Sequence, residues 1–298
     1  MFHEETVFAM AHAHSITIEN AEKQLYKRQD YTTRCISTDP ESGAPVICAI
    51  LCDGHGSDKV IDLVRHVAPQ AAFSQNPCNE LQRIVCETLV LGNEKSGCTA
   101  LFTKVLNNEL FVQSVGDSTV IILKDGVPIW QNASHKWSNP TERDRLKDIN
   151  HGFYAENTQN IKLISSDTMC YTYSTYVKLR NNPLIRLATT QAIGHDNIYG
   201  ISPSEIKITL EPQCNYRVIG FSDGVGDMLV WENNEEMEAI YRMSAQEIAD
   251  FAEARWHQDW HSMTIGIPAS RSATTFRYTE PDQMDDVSCF VMKIDPIL

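Results

Sequence analysis

The 298-residue chain lacks what would tie it to a polyanion or a bilayer. No Lys/Arg-rich block occurs, and acidic residues outnumber basic ones 39 to 25, giving a formal charge of −14. A phosphate-backbone footprint needs clustered positive charge, so nucleic acid and anionic membrane surfaces are not expected partners. No apolar run approaches the roughly eighteen residues of a membrane span, and "MFHEETVFAMAHAH" has no basic region followed by an apolar core. A soluble, cytoplasmic protein is expected. The nine cysteines, at 35, 48, 52, 78, 86, 98, 170, 214 and 289, form no CxxC pair. Several lie in apolar runs, where a thiol packs as a small hydrophobe, which fits a reducing compartment. Asn132-Ala133-Ser134 has the glycosylation pattern, which matters only in a secreted chain. "GHGSDK" fails the spacing of a GxxxxGK[ST] phosphate loop, and no thiol-phosphatase motif accompanies any cysteine.

What is present is enough apolar residue, 42% of the chain, to bury a sizeable core. "PVICAILC" (45–52) is apolar without alternation and predicts a strand covered on both faces. Val60, Ile61, Val64, Val67 and Ala68 have helical spacing behind a cap at Ser57 or Asp58, and a second helix is expected over 79–91. From Cys98 the pattern predicts a meander of at least four paired strands: "CTALFTKV", "ELFVQSV", "STVIILK" and "VPIW", the last two joined at Asp125-Gly126. Pro140 after Asn139 marks a helix start. Residues 150–182 are polar and Asn-rich and read as an irregular insertion or flap. Strands are expected at 207–210, 216–221 and 287–294, and helices at 235–242 and 245–256. Without repeats, low-complexity tracts or a linker, the simplest reading is one α+β domain over 1–298.

Four aspartates fall at edges of these strands: Asp53, Asp117, Asp223 and Asp285. In an antiparallel sheet one strand starts beside its neighbour's end, so the four can meet at one rim. Converging carboxylates repel unless a cation lies between them. All-oxygen sets select Mg²⁺ or Mn²⁺ over zinc. Asp and Gly after a strand are also ordinary turn residues, so no single one decides the matter.

These residues resemble the metal-dependent serine/threonine protein phosphatases of type 2C. "LCDGHG" resembles the family's first metal motif, "GCTALFTKVLNNELFVQSVGDS" its glycine-threonine strand and Gly-Asp-Ser turn, and "SHKWSNPTERDRL" its His-Lys…Glu…Arg segment. "LATTQAIG", "GFSDGVGDML" and "MDDVSCFVM" follow in family order, so the likeness spans about residues 28–294. The resemblance implies a four-layer α/β/β/α arrangement, a central antiparallel β-sandwich flanked by helices, with a metal centre at one end. It implies that Asp53 bridges two Mg²⁺ or Mn²⁺ ions, Gly54 offers its carbonyl, Asp223 and Asp285 complete the first site, and Asp117 serves a weaker third. Two ions sharing a water lower its pKa and yield a hydroxide nucleophile for in-line attack on a phosphoserine or phosphothreonine of a protein substrate. His55 resembles the general acid that protonates the leaving alkoxide. A monomer is expected.

The chain departs from the family pattern in places. In "LYKRQD", Asp30 fits the family aspartate, but Gln29 stands where the family has glutamate and Leu25 where it has the arginine that grips phosphate. Gln29 offers a carbonyl oxygen without charge, which weakens the second metal position and shifts phosphate capture to Lys27 or Arg28. A catalytically weak or inactive relative acting as a binding or regulatory module is the alternative. Thr119 replaces a common arginine, Gln191 a basic residue, His195 an aspartate after "AIG", and Asp286 the closing asparagine; motif register favours Asp285 as ligand. His12 with His14, and His257 with His261 on one helix face, have metal-compatible spacing without a third ligand.

Overall fold

A computed structural model describes residues 7–11, 14–89, 96–149, 153–157, 161–164, 169–172, 175–179, 182–264, 274–277 and 284–297. In chain order the elements are β1 (Val7–Ala11), β2 (His14–Lys23), β3 (Asp30–Thr38), β4 (Pro45–His55), α1 (Lys59–Ala71) and α2 (Pro77–Thr88). Next come β5 (Gly97–Cys98), β6 (Ala100–Leu106), β7 (Glu109–Val115), β8 (Thr119–Lys124), β9 (Val127–Gln131) and α3 (Pro140–Asp148). The stretch that follows holds β10 (Phe153–Asn157), β11 (Ile161–Ile164), β12 (Met169–Thr172), β13 (Thr175–Leu179), β14 (Asn182–Leu187) and β15 (Ile193–Gly194). The chain continues with β16 (Ser204–Thr209), β17 (Tyr216–Phe221), α4 (Asp223–Gly226), α5 (Asn234–Ile240), α6 (Ala245–Trp256), β18 (Asp259–Thr264), β19 (Thr274–Arg277) and β20 (Val287–Pro296).

The central strand β4 shows why its sequence does not alternate. Ile47, Ala49 and Leu51 face a second sheet, while Val46, Cys48, Ile50 and Cys52 face α1 and α2, so both faces are buried and both must be apolar. Sheet order is β1-β2-β20-β17-β8-β9 on one side and β15-β5-β4-β6-β7-β16, with β3 also on β4, on the other; the pairings are antiparallel. In β20, Val287, Cys289 and Val291 meet α6, whereas Phe290, Met292 and Ile294 meet the opposing sheet. Three apolar layers therefore separate four structural layers, α/β/β/α. Each fully buried Leu, Ile or Phe contributes about 2 kcal/mol to holding them together.

Local chemistry fixes the element ends. The Asn139 side chain accepts from the Thr141 N–H at the start of α3, and Ser244 and Glu247 form a reciprocal capping box on α6. Asp125 and Gly126 both have positive φ, as a tight β8–β9 turn requires.

Three expectations change. The meander is two hairpins on different sheets: β6 pairs β7 in one, β8 pairs β9 in the other. A run of short strands carries no mark of which sheet each joins, and the crossing at 116–118 places Asp117 at the sandwich end. The described residues of the 150–182 segment lie in strands: β10, β13 and β14 form a three-stranded sheet, and β11 and β12 join β18 and β19 in a four-stranded one. Each of β10 to β14 is only four to six residues long, too short for periodicity to stand out among the polar residues between them. His257 and His261 do not share a helix face, because α6 ends at Trp256 and His261 lies on β18. Trp256 and Trp260 are buried in the domain.

Candidate functional site

Register brings the acidic residues to one end of the sandwich. Asp30, opening β3, lies directly opposite Asp53 on β4. The Gly54 N–H donates to the Gln29 carbonyl at 2.9 Å, and a Cβ at position 54 would stand 2.8 Å from that oxygen, so only glycine lets the strands close here. The Asp53 N–H donates to Thr99 Oγ1 at 3.1 Å, and Thr99 Oγ1 shares a 2.7 Å bond with Ser118 Oγ beside Asp117. Asp223 opens α4; the Ser222 N–H donates to the Ser288 carbonyl at 3.0 Å and the Ser288 N–H to Ser222 Oγ at 3.1 Å, tying Asp223 to the start of β20, next to Asp285.

Enclosure makes these charges costly. Burial, then the charges of Asp223, Asp30 and Asp285, push Asp53 well above the usual carboxylate range. Burial and Asp223 likewise raise Asp285, and burial and Asp285 raise Asp30. Asp30 Oδ2, Asp223 Oδ1 and Gln29 Oε1 are buried oxygens with no hydrogen-bond donor. Among the described residues no three His, Cys, Asp or Glu groups form a ready-made cation cage. The set fits hard divalent ions by its chemistry: all-oxygen, mutually repelling, with acceptors left without a protein donor.

A second acidic group adjoins the first and carries its own cation. Lys136 Nζ lies 3.2 Å from Asp117 Oδ2. Burial pulls Lys136 down, but the charges of Asp117, Asp227 and Asp223 outweigh it and raise its affinity for the proton. Asp227 is raised to about 7 by burial, with Lys136 opposing. His135 braces this group: its Nδ1 accepts from the Gly116 N–H at 3.0 Å, and burial lowers it to about 4.

The loop between β2 and β3 carries the residues expected to serve the second metal position and the phosphate. Leu25 packs against the apolar layer under α6. Gln29 Nε2 donates to Asp58 Oδ1 at 2.6 Å and to the Gly56 carbonyl at 3.1 Å. Lys27 and Arg28 are exposed; Lys27 is close enough for its charge to act on His55, and the Arg28 carbonyl accepts from Arg65. Asp286 accepts from the Tyr26 N–H at 2.8 Å and the Gln29 N–H at 2.9 Å, which occupies both its oxygens in bracing the loop and leaves Asp285 toward the rim. His55 lies with its Nε2 2.8 Å from His195 Nε2, and burial, then His195 and Lys27, lower it to about 3.

Sequence reasoning singled out neither Lys136 nor Asp227, although both lie inside quoted motifs, and it had no signal for Gln82, whose partners are remote in sequence. Gln191 serves structure: its amide donates to Glu142 Oε1 at 2.8 Å and accepts from the Ser202 N–H at 2.6 Å. His14 is buried with Nε2 3.2 Å from the Glu211 carbonyl, and His12 lies outside the described residues.

The family model for protein phosphatase 2C matches residues 50–229. A protein kinase and PP2C-like domain-containing protein of Oryza sativa subsp. japonica is 25% identical over 194 residues, 61% of this chain and 25% of its own length. The chain spans between a quarter and two fifths of the length of the curated relatives it matches. Serine-threonine phosphatase 2C from Toxoplasma gondii superposes with a TM-score of 0.58 at 17% identity, covering 98% of this chain and 99% of that one. The catalytic domain of the serine/threonine protein phosphatase PstP, in complex with 2 manganese ions, gives 0.51 at 11% identity, covering 94% and 98%. The motif order, the α/β/β/α layers and the family match together place this chain in the protein phosphatase 2C family.

Proposed function

We propose that the chain is a Mg²⁺- or Mn²⁺-dependent phosphatase acting on phosphoserine or phosphothreonine in proteins. The observation that carries this is the rim itself: Asp53, Asp30 and Asp285 gather around Asp223 at one end of the sandwich, and burial with one another's charges raises all three. Asp53, the Gly54 carbonyl, Asp223 and Asp285 would hold one ion, and Asp53 with Asp30 and the Gln29 side-chain oxygen a second. Bound there, such ions would lower the pKa of bound water and offset charge on phosphoryl oxygens. Lys27 and Arg28, exposed at the mouth, draw in the phosphate. His55 is the group that delivers a proton to the departing serine or threonine oxygen, once it has taken one up, since burial leaves it neutral at rest.

The test is phosphate release from a phosphothreonine peptide with Mn²⁺, in wild type and Asp53→Ala. Turnover that requires both Mn²⁺ and Asp53 is expected; none from well-folded wild type overturns the reading. A binding module of reduced activity is the second reading, favoured by the Gln29 amide being spent on Asp58 and Gly56 and by Leu25 being half-buried against the core. Restoring the charge with Gln29→Glu separates the two, since a large gain in turnover shows machinery that is weakened and not lost.

A further inference from the structure

His195 occupies a position where the family pattern has aspartate, and the fold devotes several groups to holding it. Residues 195, 196 and 197 all have positive φ, near 50, 50 and 57°, a left-handed turn that side chains other than glycine rarely sustain. The buried Gln82 of α2 grips that turn: its Oε1 accepts from the Gly194 N–H at 2.8 Å, and its Nε2 donates to Asn197 Oδ1 at 3.0 Å. The His195 N–H donates to the Ser96 carbonyl at 3.1 Å. A Cβ at Gly97 would stand 2.4 Å from His195 Nε2, so glycine there opens the space for the ring. The ring is 1% exposed, packs edge-on to Tyr199 with centroids 6.1 Å apart, and lies nearly parallel to His55 at 15° and 5.0 Å.

At 2.8 Å between Nε2 atoms, one imidazole must donate an N–H and the other accept it. We propose that His195 is a positioning residue for His55: the Nε2–Nε2 bond fixes the His55 ring plane, so that its remaining nitrogen, Nδ1, is the atom presented to the leaving oxygen. This rests on the phosphatase reading. An imidazole stands where the family pattern has aspartate, so the pair aims His55 by ring-to-ring geometry. The covalent step balances with His55 entering as imidazolium: water oxygen bonds to phosphorus, the P–O bond to the serine or threonine breaks, and the Nδ1 proton of His55 passes to that oxygen, leaving His55 neutral with its Nε2–H still donated to His195 Nε2.

The experiment compares wild type, His195→Asn and His195→Gln on two substrates. A 4-nitrophenyl leaving group departs without a proton, whereas the alkoxide of a phosphothreonine peptide needs one. Asparagine tolerates a left-handed backbone and so keeps the turn, but is too short to reach the Nε2 position; glutamine reaches it. His195→Asn should lower kcat on the peptide about 10²-fold, with KM unchanged and 4-nitrophenyl phosphate affected less than about threefold, and His195→Gln should recover most of the loss. Equal losses on both substrates, or no loss on either, overturn the proposal. A ¹⁵N–¹⁵N coupling across the hydrogen bond between the two Nε2 atoms, read by NMR on wild type, is expected whether or not the protein turns over. Its absence in active protein overturns this inference alone; failure of wild type on both substrates overturns the phosphatase reading and the proton-delivery role with it.

Discussion

Asp53 and Asp117 stand at the same end of the sandwich, yet their charges are met in opposite ways. Around Asp53 the charged neighbours are Asp223, Asp30 and Asp285, all of its own sign. Around Asp117 an ammonium answers, with Lys136 Nζ at 3.2 Å and Asp227 sharing the same cation. The first group needs positive charge from outside the chain, while the second brings it along. Asp223 acts on both, so charge added to the first is felt in the second.

Removing one aspartate from each group should therefore give stability changes of opposite sign. Asp53→Asn is expected to lower Mn²⁺-dependent kcat by about 10³-fold or more, about 4 kcal/mol of transition-state stabilisation. The same change should stabilise the metal-free protein by about 1 kcal/mol in urea unfolding with EDTA, because a repelling carboxyl is gone. Asp117→Asn should instead destabilise it by about 2 kcal/mol, since Lys136 loses its nearest partner. Equal signs in the two variants would erase the contrast.

Acid should loosen the second group through its brace. His135 is held near 4, below the unfolded value of about 6.5, so the unfolded chain takes up this proton first. The contribution is complete above pH 6.5 and is lost as pH falls toward 4. Wild type should lose about 2 kcal/mol more than His135→Gln between pH 7.5 and pH 5, compared by urea midpoints at each pH. A smaller effect sharpens the first group: Gln29→Glu adds a charge beside Asp30 and should tighten Mn²⁺ about tenfold by calorimetry. No change there would mean that the Gln29 oxygen lies outside the metal sphere.

How much of this the sequence carried differs from feature to feature. The two-faced burial of β4, the Asp125-Gly126 turn and the Asn139 cap follow from local chemistry, and each was legible. The rim residues were legible because motif spacing and strand ends coincide at Asp53, Asp223 and Asp285. The sheet change at 116–118 was not, because a strand's partner is decided by burial on both faces and not by the turn before it. The strands between 153 and 187 escaped because each is only four to six residues long, too short for a period to show. The adjacency of Lys136 to Asp117 joins positions nineteen apart, and that of His195 to His55 joins positions 140 apart. Only the assembled sandwich creates those contacts.

The central claim is that the Asp53 group receives divalent ions in preference to the lysine-compensated group at Asp117. Anomalous scattering from crystals grown with increasing Mn²⁺ measures this directly, by locating each ion and the order in which the positions fill. The account predicts two ions at Asp53 first, with any ion between Asp117 and Asp227 entering later and displacing Lys136. Mn²⁺ appearing first beside Asp117, or none at Asp53 at saturating concentration, would contradict it.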